Sequence, residues 1–171
     1  MRPINLKVKY KIVKLPSLCG NEASVYTIYL ESERQTLFDR FISENKPEYE
    51  RELSNMITRL KSMGTKVGAR EQYFKLHEGK PGDMVCALYD ESDKFLRLYC
   101  IRYGKSFIVL GGGGPKNVEA WQDDLKLTEE VTWMISVSND IYQRMQEGEL
   151  NWSTDGLELE GDLNFNQDEE E

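Results

Sequence analysis

Hydrophobic and polar residues alternate along two stretches of the chain, and this period of two predicts β-strands with one buried face. The first stretch covers residues 6–12, where apolar side chains alternate with three lysines. The second covers 95–103, and a tight turn at 103–105 separates it from an apolar return strand at 106–111. Together with an apolar run at 84–89, these residues predict a meander of three consecutive antiparallel strands.

Apolar residues at helical spacing predict three helices. The first covers residues 32–44 and the second 47–63, and the short break at 45–47 predicts that they form an antiparallel hairpin. The third helix is predicted to start at Thr128, a typical N-cap residue, and to end near Gly148.

The order of the predicted elements is two strands, two helices, three strands and one helix, with the second strand at 25–30. Helices and strands are segregated along the chain instead of alternating, which is typical of the α+β class. We therefore expect a twisted antiparallel β-sheet with an N-terminal helical hairpin and a C-terminal helix, and with the helices on one face of the sheet.

The net charge of −8 is distributed unevenly along the 171 residues. Ten of the 30 acidic residues lie between 147 and 171, and no Lys or Arg follows Arg144, so residues 1–146 hold 20 acidic against 22 basic side chains. This predicts one domain at 1–146, whose N-terminal strand is the one at 6–12. A flexible acidic tail at 147–171 follows it. The tail is either a solubilising end or a segment that folds back onto a basic face formed by the strand lysines and the loop 66–80.

The chain has three cysteines, Cys19, Cys86 and Cys100, with no C-x-x-C spacing. An odd number without that spacing argues against a disulfide framework or a zinc site. The N-terminus lacks the apolar core of a signal peptide, and no stretch is long and apolar enough for a membrane span. We therefore expect a cytoplasmic protein that does not enter the membrane.

Candidate chemistry is concentrated in the strand at 95–103 and the glycine run that follows the return strand. The alternation places Arg97, Tyr99 and Tyr103 on one face, and the glycines at 111–114 end close to Lys116. A guanidinium, two phenols and an ammonium group suit an anionic ligand such as a phosphodiester. The glycine run lacks the spacing of a phosphate-binding P-loop, and a flattened or bulged strand end is the simpler interpretation.

Four segments carry a resemblance to a known family: VYTIYLESERQTLFDRFI, RLKSMG, KLHEGKPGDMVCALYDE and FLRLYCIRYGKSFIVLGGGGPK. Between residues 24 and 145, their order resembles the RelE/ParE superfamily of bacterial toxins, including the HigB-like branch. In that family the third strand carries an arginine, which Arg97 matches. The fourth strand ends in a glycine and a basic residue, which Gly114-Pro115-Lys116 matches.

The resemblance implies an mRNA endonuclease of a type II toxin–antitoxin system, acting free or on the ribosome and neutralised by an antitoxin protein. Such cleavage uses no metal or cofactor: the 2′-hydroxyl attacks its own phosphate, with a base, an acid and cations to assist. Arg97 is the candidate phosphate clamp and Lys116 a second cation. Tyr99 or Tyr103 is a candidate for base stacking or proton donation, and His77, the sole histidine, for acid–base work.

A basic loop before the strand at 84–89 is the candidate RNA-binding segment. Its cations are Lys66, Arg70, Lys75 and Lys80. Each of these residues also has a simpler reading as a solvated surface side chain. The alternative function is that of a non-catalytic protein with the same fold that binds a protein partner through the concave face of the sheet. The strand at 84–89 lacks the lysines common in active relatives, and this favours the alternative.

Overall fold

The computed structural model describes residues 9–76, 84–88, 95–116 and 125–165. Within these ranges an eight-stranded mixed sheet lies between two long helices. The helices are α1 (Leu37–Ser62) and α2 (Leu125–Gln146). The strands are β1 (Tyr10–Lys14), β2 (Ser24–Leu30), β3 (Gln35–Thr36), β4 (Phe74–Lys75), β5 (Val85–Leu88), β6 (Leu96–Tyr103), β7 (Phe107–Pro115), β8 (Leu150–Trp152), β9 (Leu159–Gly161) and β10 (Asn164–Phe165).

The main sheet has the strand order β10-β1-β2-β7-β6-β5-β4, with β3 paired to β2. The predicted antiparallel meander is confirmed, because β5, β6 and β7 pair in sequence. The prediction of an entirely antiparallel sheet is wrong, because β2 and β7 run parallel from Ser24 opposite Phe107 to Thr27 opposite Leu110. A helix and four strands separate β2 from β7 along the chain, so no tight turn fixes their relative direction.

Both faces of the sheet are buried. Tyr99, Ile101 and Val109 pack in the core with α2, whereas Leu98 and Cys100 pack in the core with α1. The prediction that the helices share one face is therefore wrong. The physical reason lies in β7, where Phe107 to Leu110 are apolar at every position, so that each face needs its own cover. The segregation of helices and strands still agrees with the predicted α+β class.

The segment predicted as a helical hairpin consists of two helices that meet at a kink, and we label them together as α1. Within Leu37–Ser62, Tyr49 alone leaves helical geometry, with φ −131° and ψ 33°. Pro47 explains the bend, because its ring carries no amide hydrogen and displaces the preceding turn. Just before the kink, the side-chain amide of Asn45 donates to the carbonyl of Phe41, at 2.8 Å. The break predicted at 45–47 is thus a kink, with no separate turn.

A buried carboxylate attaches the second half of α1 to the start of β6. Glu52 accepts a hydrogen bond from the amide of Leu96 at 2.8 Å and a longer one from Phe95 at 3.4 Å. Two amides that precede the sheet ladder are therefore satisfied by a charged acceptor, which makes the contact stronger than one between neutral groups.

The segment that the sequence sets apart as a tail forms part of the fold as far as residue 165. β8 and β9 form a hairpin whose Leu150 and Leu159 are buried in the α2 core, and β10 pairs with β1. Residues 150–165 therefore pack against the domain whose boundary was predicted at 146, and the hydrophobic side chains of the hairpin are the reason. Glu158 contacts Lys14 at 2.7 Å, and Lys14 lies outside the basic face considered for the tail.

Arg144, the last basic residue, holds this segment in place. Its guanidinium is buried and donates to the carbonyls of Asp162 and Asn164, at 2.8 and 2.9 Å. Its plane lies 3.7 Å from the centre of the Phe165 ring, which in turn stacks on Tyr10 at 4.8 Å. One guanidinium therefore joins α2 to the chain beyond it and, through Phe165, to β1.

We predict that Arg144→Lys lowers the free energy of unfolding by about 2 kcal/mol, because an ammonium group cannot pack flat on the Phe165 ring while it binds both carbonyls. Urea unfolding measures the loss. Arg51→Lys, on the exposed face of α1, is the control and is expected to change stability by less than about 0.5 kcal/mol. Equal stability of the two variants would contradict the role assigned to Arg144.

Candidate functional site

The predicted site residues lie at opposite ends of β6. Arg97 stands near its start, opposite Gly114, and Tyr103 at its end, opposite Phe107. The six residue-to-residue steps from Arg97 to Tyr103 span about 20 Å, at roughly 3.3 Å per step. A single catalytic centre that includes both side chains is therefore not formed in this arrangement.

Tyr99, midway along β6, is fully buried under α2. Its ring packs in the core opposite Ala87 of β5 and has no face open to an RNA base. The sequence correctly places Arg97, Tyr99 and Tyr103 on one face, but that face is covered beyond the first residues of the strand. We therefore do not carry Tyr99 into the proposed site.

Part of the predicted RNA-binding loop lies next to the C-terminal end of β6. The amide of Ala69 donates to the carbonyl of Lys105 in the β6–β7 turn at 2.8 Å, which brings the exposed Lys66 and Arg70 to this end of the sheet. Arg70 donates from Nε to the carbonyl of Val67, at 2.9 Å. The remaining member in the described ranges, Lys75, is exposed on β4 opposite Ala87, and Lys80 and His77 lie outside the described residues.

Tyr103 packs among aromatic rings at this same end. Its ring centre lies 5.2 Å from that of Trp152 on β8 and 6.1 Å from that of Phe107. Burial raises the pKa of the Tyr103 phenol, and a hydrogen bond with Ser138 opposes the shift without cancelling it. A half-buried phenol with a raised pKa is a poor proton donor at neutral pH.

Three cations lie around the N-terminal end of β6, and we call them the cation cluster: Arg97, Lys116 and Lys126. Arg97 is directly opposite Gly114, and the amide of Lys116 donates to the carbonyl of Phe95 at 2.7 Å. Lys126, in the first turn of α2, lies over Gly114, where a Cβ atom would be 3.7 Å from its Cγ. The structure thus joins the two predicted catalytic cations and adds a third.

Beneath the cluster, Glu130 forms a buried ionic network between the two helices. One oxygen, Oε2, accepts from Arg40 Nη2 and from Lys126 Nζ, both at 2.8 Å. Arg40 also contacts Glu33 at 3.1 Å, and Lys126 contacts Glu44 at 3.0 Å. Burial lowers the pKa of the Lys126 ammonium, but Glu130 and Glu44 raise it by more, so the net shift is upward. The network keeps Lys126 charged and fixes where it lies.

The glycine run is shaped by close packing around a β-bulge. Leu98 is opposite Gly113 and Cys100 is opposite Leu110, so two glycines face one residue of β6, as the bulge interpretation predicts. A side chain at Gly111 would meet Met134, one at Gly112 would meet Glu130 Oε1, and one at Gly113 would meet the Arg97 carbonyl. Gly114 differs, because a Cβ there would make only ordinary contacts with Lys126 and Leu127.

Arg40, Lys126 and Glu130 are absent from the predicted site. The spacing of Lys126 and Glu130, four residues apart, was a usable signal once a helix was assigned to both. The predicted start at Thr128 left Lys126 outside the helix, so this spacing was not used. The helix begins at Leu125, which turns Glu130 towards the sheet.

Comparisons with protein-family profiles, with curated proteins and with solved structures found no match to this chain. Within residues 9–76, 84–88, 95–116 and 125–165, no group of three or more His, Cys, Asp and Glu side chains is arranged to hold a metal ion. Neither α1 nor α2, the long helices of the described ranges, is long and apolar enough to cross a membrane.

We predict that Glu130→Ala lowers the free energy of unfolding by about 3 kcal/mol, because it leaves Arg40 and Lys126 without their shared carboxylate. Glu129→Ala is the matched control, since this neighbouring glutamate is exposed, and we expect a change of less than about 0.5 kcal/mol. Urea unfolding of both variants gives the comparison. A loss no greater than that of the control would show that the network does not stabilise the fold.

Proposed function

We propose that this chain is the toxin of a type II toxin–antitoxin system and cleaves mRNA without a metal, with the scissile phosphate bound at the cation cluster. The observation that carries the proposal is the arrangement around Gly114. Arg97 lies across the ladder from it and Lys126 lies over it. Gly114 makes no close contact of the kind that requires glycine at 111–113, and a Cβ atom there would meet Lys126 and Leu127 at ordinary contact distances.

The charges of the cluster suit the reaction. As O2′ forms its bond to phosphorus and the bond to O5′ breaks, negative charge grows on the phosphoryl oxygens. The planar guanidinium of Arg97 can donate two hydrogen bonds to those oxygens, and the two ammonium groups supply point charges. The proton of the 2′-hydroxyl passes to a base and O5′ receives one from an acid. His77 stays the predicted group for one of these transfers.

The alternative function, binding of a protein partner through an open concave sheet face, is less well supported. α1 packs on one face of the sheet and α2 with the β8–β9 hairpin packs on the other. The half-exposed surface at Arg97 and Lys116 lies at one end of the sheet, which suits a narrow polyanion better than a broad protein surface. An antitoxin protein, mRNA and the ribosome are the partners that the proposal implies.

The proposal is tested by induced expression with growth measurements, together with cleavage of labelled RNA by the purified protein in the presence of EDTA. We predict that Arg97→Ala reduces cleavage about 10²-fold, the effect typical of losing one donor to a developing oxyanion.

In binding assays, Lys116→Ala should lower the slope of log affinity against log salt by about 0.7 to 1, because one phosphate contact is lost.

Lys11→Ala is the matched control for the lysine variant. Lys11 is half-exposed, as Lys116 is, but it lies on β1 outside the cation cluster, where it is bridged to Glu31 at 3.5 Å. This control should leave cleavage, binding and salt dependence unchanged. The proposal would be refuted if the unaltered protein caused neither growth arrest nor RNA cleavage. Full activity of Arg97→Ala would show that the cation cluster is not the cleavage site.

A further inference from the structure

A pair of aromatic rings, one exposed and one partly buried, lies at the same end of the sheet as the cation cluster. Phe95 immediately precedes β6 and is 54% exposed, although most aromatic side chains of the sheet are buried. The ring of Tyr49 on α1 lies beside it, with the centres 6.3 Å apart and the planes inclined at 51°. About half of the Phe95 side chain thus stays in contact with solvent next to a second, partly buried ring.

Two features of the backbone hold this pair in place. Tyr49 is the one residue of α1 outside helical geometry, so the kink of the helix falls at the ring that approaches Phe95. Glu52, one turn further along, binds the amides of Phe95 and Leu96 and so ties this turn of α1 to the start of β6. The exposed ring is therefore carried by an anchored segment, which lowers the entropy lost when a ligand packs on it.

The aromatic pair is continuous with the cation cluster along the backbone. The carbonyl of Phe95 accepts the hydrogen bond from the amide of Lys116, and Arg97 follows Phe95 by two residues. A flat apolar surface beside cations is the combination that recognises single-stranded nucleic acid, where unpaired bases stack on aromatic rings while phosphates meet Lys and Arg.

We propose that Phe95, supported by Tyr49, is a base-stacking subsite for single-stranded RNA whose phosphate is bound by the cation cluster. This inference rests on the proposed function and adds to it which part of the substrate is recognised beside the phosphate. The charge complementarity of the neighbouring cations selects a polyanion over an apolar peptide as the occupant. A duplex keeps its bases stacked on each other, so the subsite takes unpaired RNA.

The test compares Phe95→Ala and Phe95→Trp with Tyr142→Ala as control, because Tyr142 is a 64% exposed aromatic residue on α2. Affinities are measured by fluorescence anisotropy for a labelled single-stranded RNA, for the same strand with abasic nucleotides, and for an RNA duplex. We expect Phe95→Ala to weaken binding of the single strand about tenfold or more, the loss typical of one stacked base. Its affinities for the abasic strand and the duplex should not change.

The variant Phe95→Trp should bind the single strand at least as tightly as the unaltered protein, because indole stacks on bases too. Equal affinities of Phe95→Ala and Tyr142→Ala would overturn the subsite, and so would an equal loss on the abasic strand. In both cases a weakening by Arg97→Ala would leave the proposed function standing. If the unaltered protein fails to bind RNA even at low salt, the proposed function falls and the subsite falls with it.

Discussion

The structure depends on the absence of side chains along the end of β7. Three successive glycines let Met134 and Glu130 of α2 and the carbonyl of Arg97 approach the backbone more closely than any Cβ atom permits. Close approach brings the carboxylate of Glu130 to a depth at which it meets Arg40 from α1. The two helices, which cover opposite faces of the sheet, are therefore connected by an ion pair at this end, and Lys126 is held above the bulge as a result.

The sequence predicts local structure well and the packing of elements poorly. Alternation at 95–103 assigns Tyr99 and Leu98 to opposite faces, because side-chain direction in a strand follows from its period alone. It does not say which face a helix will cover, since an apolar stripe on α2 indicates only that it packs on something. The uninterrupted apolar run from Phe107 to Leu110 was the available sign that both faces are buried.

The same distinction separates what is predicted of the site from what is not. Arg97 and Lys116 come together because a hairpin register relates them, and Lys126 is missed because it reaches the same place from a distant element. The acidic character of the last residues is a true property of the sequence, but acidity alone does not imply disorder. The described part of that segment is held by Leu150, Leu159 and the buried Arg144, and one basic residue at the end of a helix gives little indication of such a role.

The pairing of β10 with β1 has a consequence for how the molecule meets other molecules. A strand at the edge of a sheet has unpaired amides and carbonyls, with which a strand of another molecule can pair. Proteins limit such pairing by shortening or covering the edge. Here the cover is two residues, Asn164 and Phe165, supplemented by a hydrogen bond from Ile12 to Leu163. In a chain shortened to residue 146, the outer side of β1 would be an unpaired strand edge. Tyr10 would also lose the ring that stacks on it. Self-association of such a fragment would then reflect the lost strand, and its behaviour would say little about the intact chain.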